Sequence, residues 1–152
     1  MNADTNTTSA DCEIVSSRIL DAPCESVFAA FTNPDILKRW WGPAGFTNTF
    51  KEFDLRPGGK WHYTMHGTDK GNYENEAVFK VVEKPNLIVW DRISKPLFRM
   101  SVVFEEVDST RTKFTFRMQF DNQRDYEKMI GFVPAKNEEN FDRLEAELQR
   151  VK

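Results

Sequence analysis

The sequence is poor in the residue types that most directly carry chemistry. Only two cysteines, Cys12 and Cys24, occur in 152 residues, too few for a disulfide framework, and this usage fits a reducing, cytoplasmic compartment. Only two histidines occur, His62 and His66. They fall in a stretch that alternates with period two. On a strand, i and i+4 share a face but stand roughly 13 Å apart at about 3.3 Å per residue. One metal ion cannot bridge that gap, so the pair reads as surface histidines, and neither a metal nor a cofactor is expected. The Gly58-Gly59 pair belongs to a hairpin turn rather than a strand-to-helix phosphate cradle. No spacing of Ser, His and Asp suggests a nucleophile elbow.

Other absences narrow the partners. No run approaches 18 apolar residues, which excludes membrane insertion by a helix. The formal charge is −3 with no basic run, so no nucleic acid is expected. Residues 1–12 are mostly polar, rich in Asn and Thr, and lack the basic-then-apolar order of a signal peptide. They read as a disordered tail before a single domain over 13–152.

What remains is a chain built for a core. Hydrophobic residues make up 39%, charged residues 30% and aromatics 13%, with 13 Phe and 4 Trp. Rings in such numbers fill a large interior or line a ligand cavity.

The periodicity gives the order of elements. A first strand spans Glu13 to Leu20 and is broken by Asp21-Ala22-Pro23. A helix from Pro23 to about Thr32 follows, with Glu25 at its positive end. Asn33-Pro34-Asp35 starts a second short helix to Trp41, with Leu37, Trp40 and Trp41 on one face and Gly42-Pro43 as the stop. Six strands follow, over Phe46–Leu55, Lys60–Gly67, Tyr73–Glu83, Leu87–Ser94, Phe98–Val107 and Thr112–Phe120. Gly131 and Pro134 interrupt the helical pattern after them. A long helix then runs from Lys136 to Lys152, with Phe141, Leu144, Leu148 and Val151 on its stripe. Short turns make the strands a meander, and strand one is free to pair with strand seven, giving the order 1-7-6-5-4-3-2. A sheet with one apolar face needs a cover. The expected fold is therefore α+β, a curved seven-stranded antiparallel sheet wrapped around the C-terminal helix, with two short helices after strand one.

Four stretches carry a further likeness: ILDAPCESVFAAFTNPDILKRWWGP, FDLRPGGKWHYTM, VEKPNLIVWDRIS and NFDRLEAELQRV. In this order and spacing the chain, from about Ile14 onward, resembles the heat-shock protein 90 ATPase activator homologue family of the START-like, polyketide-cyclase-like SRPBCC superfamily. The resemblance implies the helix-grip fold and an elongated cavity for apolar or amphipathic small molecules.

The sheet face expected to line that cavity carries Trp61, Tyr63, Met65, Phe79, Ile88, Trp90, Met100, Val102, Phe116 and Met118. Trp40, Trp41, Phe132 and Phe141 would close it from the helices. Plain core packing is the simpler reading for most of these residues, while the polar handles of Trp61, Tyr63 and Trp90 and the adaptable Met118 fit a lined pocket as well. Arg92 shares parity with Ile88 and Trp90, so its charge needs a partner, either an acidic ligand group or a carboxylate such as Glu76. Asp91, on the opposite face, is expected to be solvated. Three functions fit this picture. One is binding of a hydrophobic small molecule, in a stress or metabolic response, with Arg92 or Tyr63 orienting a polar group. The second is a cyclase, hydrolase or isomerase using Arg92, Glu76 or Tyr63 for acid–base work. The third is a protein partner, either a chaperone or a second copy of the chain.

Overall fold

Alternation along the strands decides which side chains turn inward, and the computed structural model describes the result for residues 12–150. The strands are β1 (Glu13–Leu20), β2 (Thr47–Phe53), β3 (Lys60–His66), β4 (Asn72–Glu83), β5 (Leu87–Arg92), β6 (Phe98–Asp108) and β7 (Arg111–Phe120). The helices are α1 (Cys24–Thr32), α2 (Pro34–Trp40), α3 (Gln123–Ile130) and α4 (Val133–Arg150). The sheet is antiparallel throughout, in the order β1-β7-β6-β5-β4-β3-β2, as the short turns require. One inward row crosses five strands: Ile14 faces Met118, Met118 faces Met100, Met100 faces Trp90, and Trp90 faces Phe79.

The helix starts follow their capping chemistry. Asn33 Oδ1 accepts from the Asp35 amide at 3.0 Å, with Pro34 in the first turn. Pro23 caps α1 in an extended conformation rather than entering it. After α2, Gly42 takes φ +100, the left-handed conformation that ends a helix without strain in glycine alone.

The long helix begins earlier than expected. Pro134 sits in the first turn of α4, where its missing N–H costs nothing, so Val133 and not Lys136 opens the helix. The preceding stretch forms α3, capped by Asn122 Oδ1 accepting from the Asp125 amide at 2.8 Å. Val151 of the expected stripe, and the expected tail up to residue 11, lie outside the described residues.

The sheet grips α4 through its apolar stripe. Phe141 is fully buried and meets Phe114 and Phe116 edge-on at 4.6 and 4.9 Å between centroids. Polar contacts fix its rotation. Asn137 Nδ2 donates to Ser16 Oγ at 3.2 Å, and Asn140 Oδ1 accepts from the Gly42 amide at 3.1 Å. Arg18 of β1 reaches Glu138, Asp142 and Glu145 at 2.7–2.9 Å. These acids are largely exposed, so the network orients the helix more than it stabilises it. Among the described residues no helix is long and apolar enough to cross a membrane.

Candidate functional site

Most of the expected lining residues come together. Trp40, Trp41, Trp61, Tyr63, Phe79, Trp90, Met100, Phe116, Met118 and Phe141 are all buried in one core, with Met65 half-buried beside it. Their rings pack directly on one another. Trp61 stacks on Tyr63 at 4.4 Å. Trp41 lies 5.3 Å from Trp61, 5.9 Å from Trp90 and 6.1 Å from Phe116.

Phe132 departs from expectation. It occupies the short link between α3 and α4 and is 48% exposed. It lies outside both the apolar stripe of α4 and the core, and does not close the interior.

Within this apolar interior the polar atoms are few. Trp40 Nε1 donates to the Ala30 carbonyl at 3.0 Å. Trp41 Nε1 donates to Tyr63 Oη at 3.2 Å. Arg92 ends β5 on the same face. Its Nη1 donates to Asn75 Oδ1 and its Nη2 to the Lys95 carbonyl at 3.2 Å. Its guanidinium lies 5.8 Å from the centre of the Phe98 ring. Burial lowers the Arg92 pKa, and its neighbour Tyr63 opposes that shift. Burial raises the Tyr63 pKa, against the Arg92 charge and the Trp41 hydrogen bond. Near neutral pH the phenol keeps its proton and the guanidinium keeps its charge.

The partner of Arg92 is Asn75 and not Glu76. Side chains alternate along β4, so Asn75, Ala77 and Phe79 share the inner face while Glu76 turns outward, where it lies 3.9 Å from Lys60. The parity that put Phe79 inside already pointed to Asn75, which is buried.

The histidines belong to the outer face. His62 Nε2 lies 3.1 Å from Glu74 Oε1, and His66 bonds Thr49 and Asn72 at 2.8 and 2.7 Å. Among the described residues no group of three or more His, Cys, Asp or Glu side chains is placed to hold a metal ion.

The sheet end at Arg92 is hollow. A concavity of about 620 Å³ is bordered by Arg92, with Ile93, Leu97, Phe98 and Phe120 as its apolar part and Asp91, Arg99, Gln119 and Asp121 as the rest of its polar part. A second, of about 760 Å³, separates the β5–β6 connection at Leu97 from Met129 of α3. Ile93 is 47% and Leu97 37% exposed. The sequence marked this end only through Arg92; the strand expected over Leu87–Ser94 stops at Arg92, so Ile93 and Leu97 lie in a connection where periodicity is silent.

A family model described as activator of Hsp90 ATPase homolog 1-like protein matches residues 21–149. Solved structures show the same architecture. A crystal structure of a protein from Nitrosomonas europaea is 19% identical with a TM-score of 0.85, over 94% of this chain and 97% of that one. A solution structure of a protein from Arthrobacter aurescens is 23% identical with a TM-score of 0.86, over 93% of this chain and 88% of that one. A crystal structure of a protein from Rhodobacter sphaeroides is 17% identical with a TM-score of 0.84, over 93% and 95%. At these identities the likeness shows the fold. No curated protein matches the sequence.

Proposed function

The chain belongs to the activator of Hsp90 ATPase homolog 1-like family, and from that footing we propose that it binds an apolar or amphipathic small molecule at the Arg92 end of the sheet. The supporting observation is the hollow itself. Its apolar side chains Ile93 and Leu97 stand half exposed beside the buried rings. Exposed apolar groups that line a concavity fit a small ligand better than the flat face a chaperone would need. Each 100 Å² of apolar ligand surface buried there contributes about 2.5 kcal/mol before the costs of association.

The neutral fluorescent probe N-phenyl-1-naphthylamine tests this. A saturable rise in emission is expected with the native chain, weakened about tenfold or more in Leu97→Asp, which places a charge on the apolar wall. Absence of saturable binding to the native chain would refute the proposal. Native mass spectrometry of small molecules retained through purification would identify the class directly.

A further inference from the structure

The polar complement of this end is one-sided. Among the described residues, three buried side-chain polar atoms lack a partner: Trp61 Nε1, Arg92 Nε and Asn48 Oδ1. The first two are donors on the inner face. They flank one residue: Ala77 of β4 pairs with Trp61 of β3 on one side and with Arg92 of β5 on the other. Adjacent strands lie about 4.8 Å apart, so these two donors project from positions separated by a single alanine. On the far side of Arg92 the row continues into the Phe98 ring, which faces Phe120 across the next strand pair.

The charge is one-sided as well. No carboxylate of the described residues pairs with Arg92, whose neighbours are the Asn75 amide oxygen, the Lys95 carbonyl and the neutral Tyr63 phenol. Of the neighbouring acids, Asp91 pairs with Arg99 at 2.7 Å and Glu76 lies 3.9 Å from Lys60, while Asp121 borders the concavity without contacting Arg92. A largely buried cation without an anion is costly to keep, and the cost is relieved when an anion arrives. Both Nη atoms already donate, and the unpartnered Nε leaves the guanidinium one further charge-assisted donor for an oxyanion.

We infer that the molecule bound here is an amphipathic acid, with its oxyanion head paired to Arg92 and its apolar body lying along Phe98 and Phe120. This rests on the small-molecule reading above and adds the class of ligand.

A matched pair of probes separates the two claims. 8-Anilinonaphthalene-1-sulfonate and N-phenyl-1-naphthylamine share an apolar body and differ by the sulfonate. The native chain is expected to bind the sulfonate at least about tenfold more tightly. Arg92→Gln should bring the two probes to within about threefold of each other while keeping the neutral one bound, and Arg92→Lys should retain part of the preference. Arg111→Gln, at the opposite end of β7 from Phe120, should leave the preference intact. Thermal melts of each variant establish that it is folded. Equal affinity of the native chain for both probes would overturn the acid assignment alone. So would a preference that survives Arg92→Gln or disappears in Arg111→Gln. Failure of both probes to bind would overturn the small-molecule reading and this one with it.

Discussion

Arg143 of α4 donates to the carbonyl oxygen of Gly42 at 3.0 Å, and the same guanidinium reaches the carbonyls of Arg39, Trp41 and Pro43 at 3.0–3.2 Å. Arg39 lies in the last turn of α2, and Trp41, Gly42 and Pro43 form the chain that leaves it. One side chain therefore caps the short helix and ties it to the long one. Arg143→Met keeps the aliphatic stem and removes all four contacts; Trp41 and Pro43 keep Asn48 and the Phe46 amide as donors, while the Arg39 and Gly42 carbonyls lose theirs. A loss of about 2 kcal/mol or more is expected from the urea unfolding midpoint. Arg143→Lys should recover little, because a point charge cannot span four carbonyls. An unchanged midpoint in the Met variant would remove Arg143 from the account of how α4 is held.

Tyr63 gives the fold an alkaline limit. Burial raises its folded pKa above the usual value of 10.0. In the unfolded chain the phenol would release its proton first. Its contribution is thus fully present below about pH 10 and is lost as pH rises towards the higher folded pKa. Stability should fall through that window, and Tyr63→Phe should flatten the fall. The same change leaves Trp41 Nε1 without its acceptor, so the variant should be weaker than the native chain near neutral pH by about 1–3 kcal/mol. Unfolding midpoints at pH 7, 9 and 10.5 for both chains measure the two effects together. Parallel curves would show that Tyr63 does not set the limit.

The sequence made the sheet legible because its strands alternate cleanly and its turns are short. The pairing of β1 with β7 needed only that strand one had no other neighbour. Parity also put Arg92 on the inner face with Trp90. Legibility failed where a residue's role depends on geometry outside its own element. Glu76 attracted attention as a charge complement to Arg92, yet one step of alternation turns it outward and leaves an uncharged amide, Asn75, as the partner. Phe132 carried the hydrophobicity of a core residue, but a position in a link between two helices is not governed by either helix's stripe. The hollow at the sheet end depends on how the β5–β6 connection and α3 stand apart, which neither segment encodes alone.

Glu74 provides the acid counterpart on the outer face. Its carboxylate accepts from Thr64 Oγ1 at 2.7 Å and lies against His62 and Lys51. The Thr64 bond first, then His62, lower its pKa from the usual 4.5 to about 2. A carboxylate held down in this way stabilises above pH 4.5, and its contribution is lost as pH falls from 4.5 towards 2. Carbon-detected NMR titration of the Glu74 carboxyl should show its midpoint well below those of freely solvated glutamates. Thr64→Val should return it towards the ordinary value. A midpoint near 4.5 in the native chain would show that the hydrogen bonds do not persist in solution.

Phe141 and Phe132 are nine positions apart, share the same side chain, and should respond oppositely to truncation. Phe141 is enclosed by Phe114 and Phe116 and lies 5.6 Å below the Arg18 guanidinium. Phe141→Ala opens a cavity where the helix meets β7, the strand next to the β1 edge, and ring packing of this density cannot close over it. A cost of about 3–5 kcal/mol is expected. Phe132→Ala removes a half-exposed ring and should move the midpoint by no more than about 0.5 kcal/mol. If the two costs proved similar, Phe132 would have to be packed against the core in solution, and the link between α3 and α4 would belong to the grip. The order of the two effects therefore tests where the covering layer of the sheet begins, at Val133 or a turn earlier.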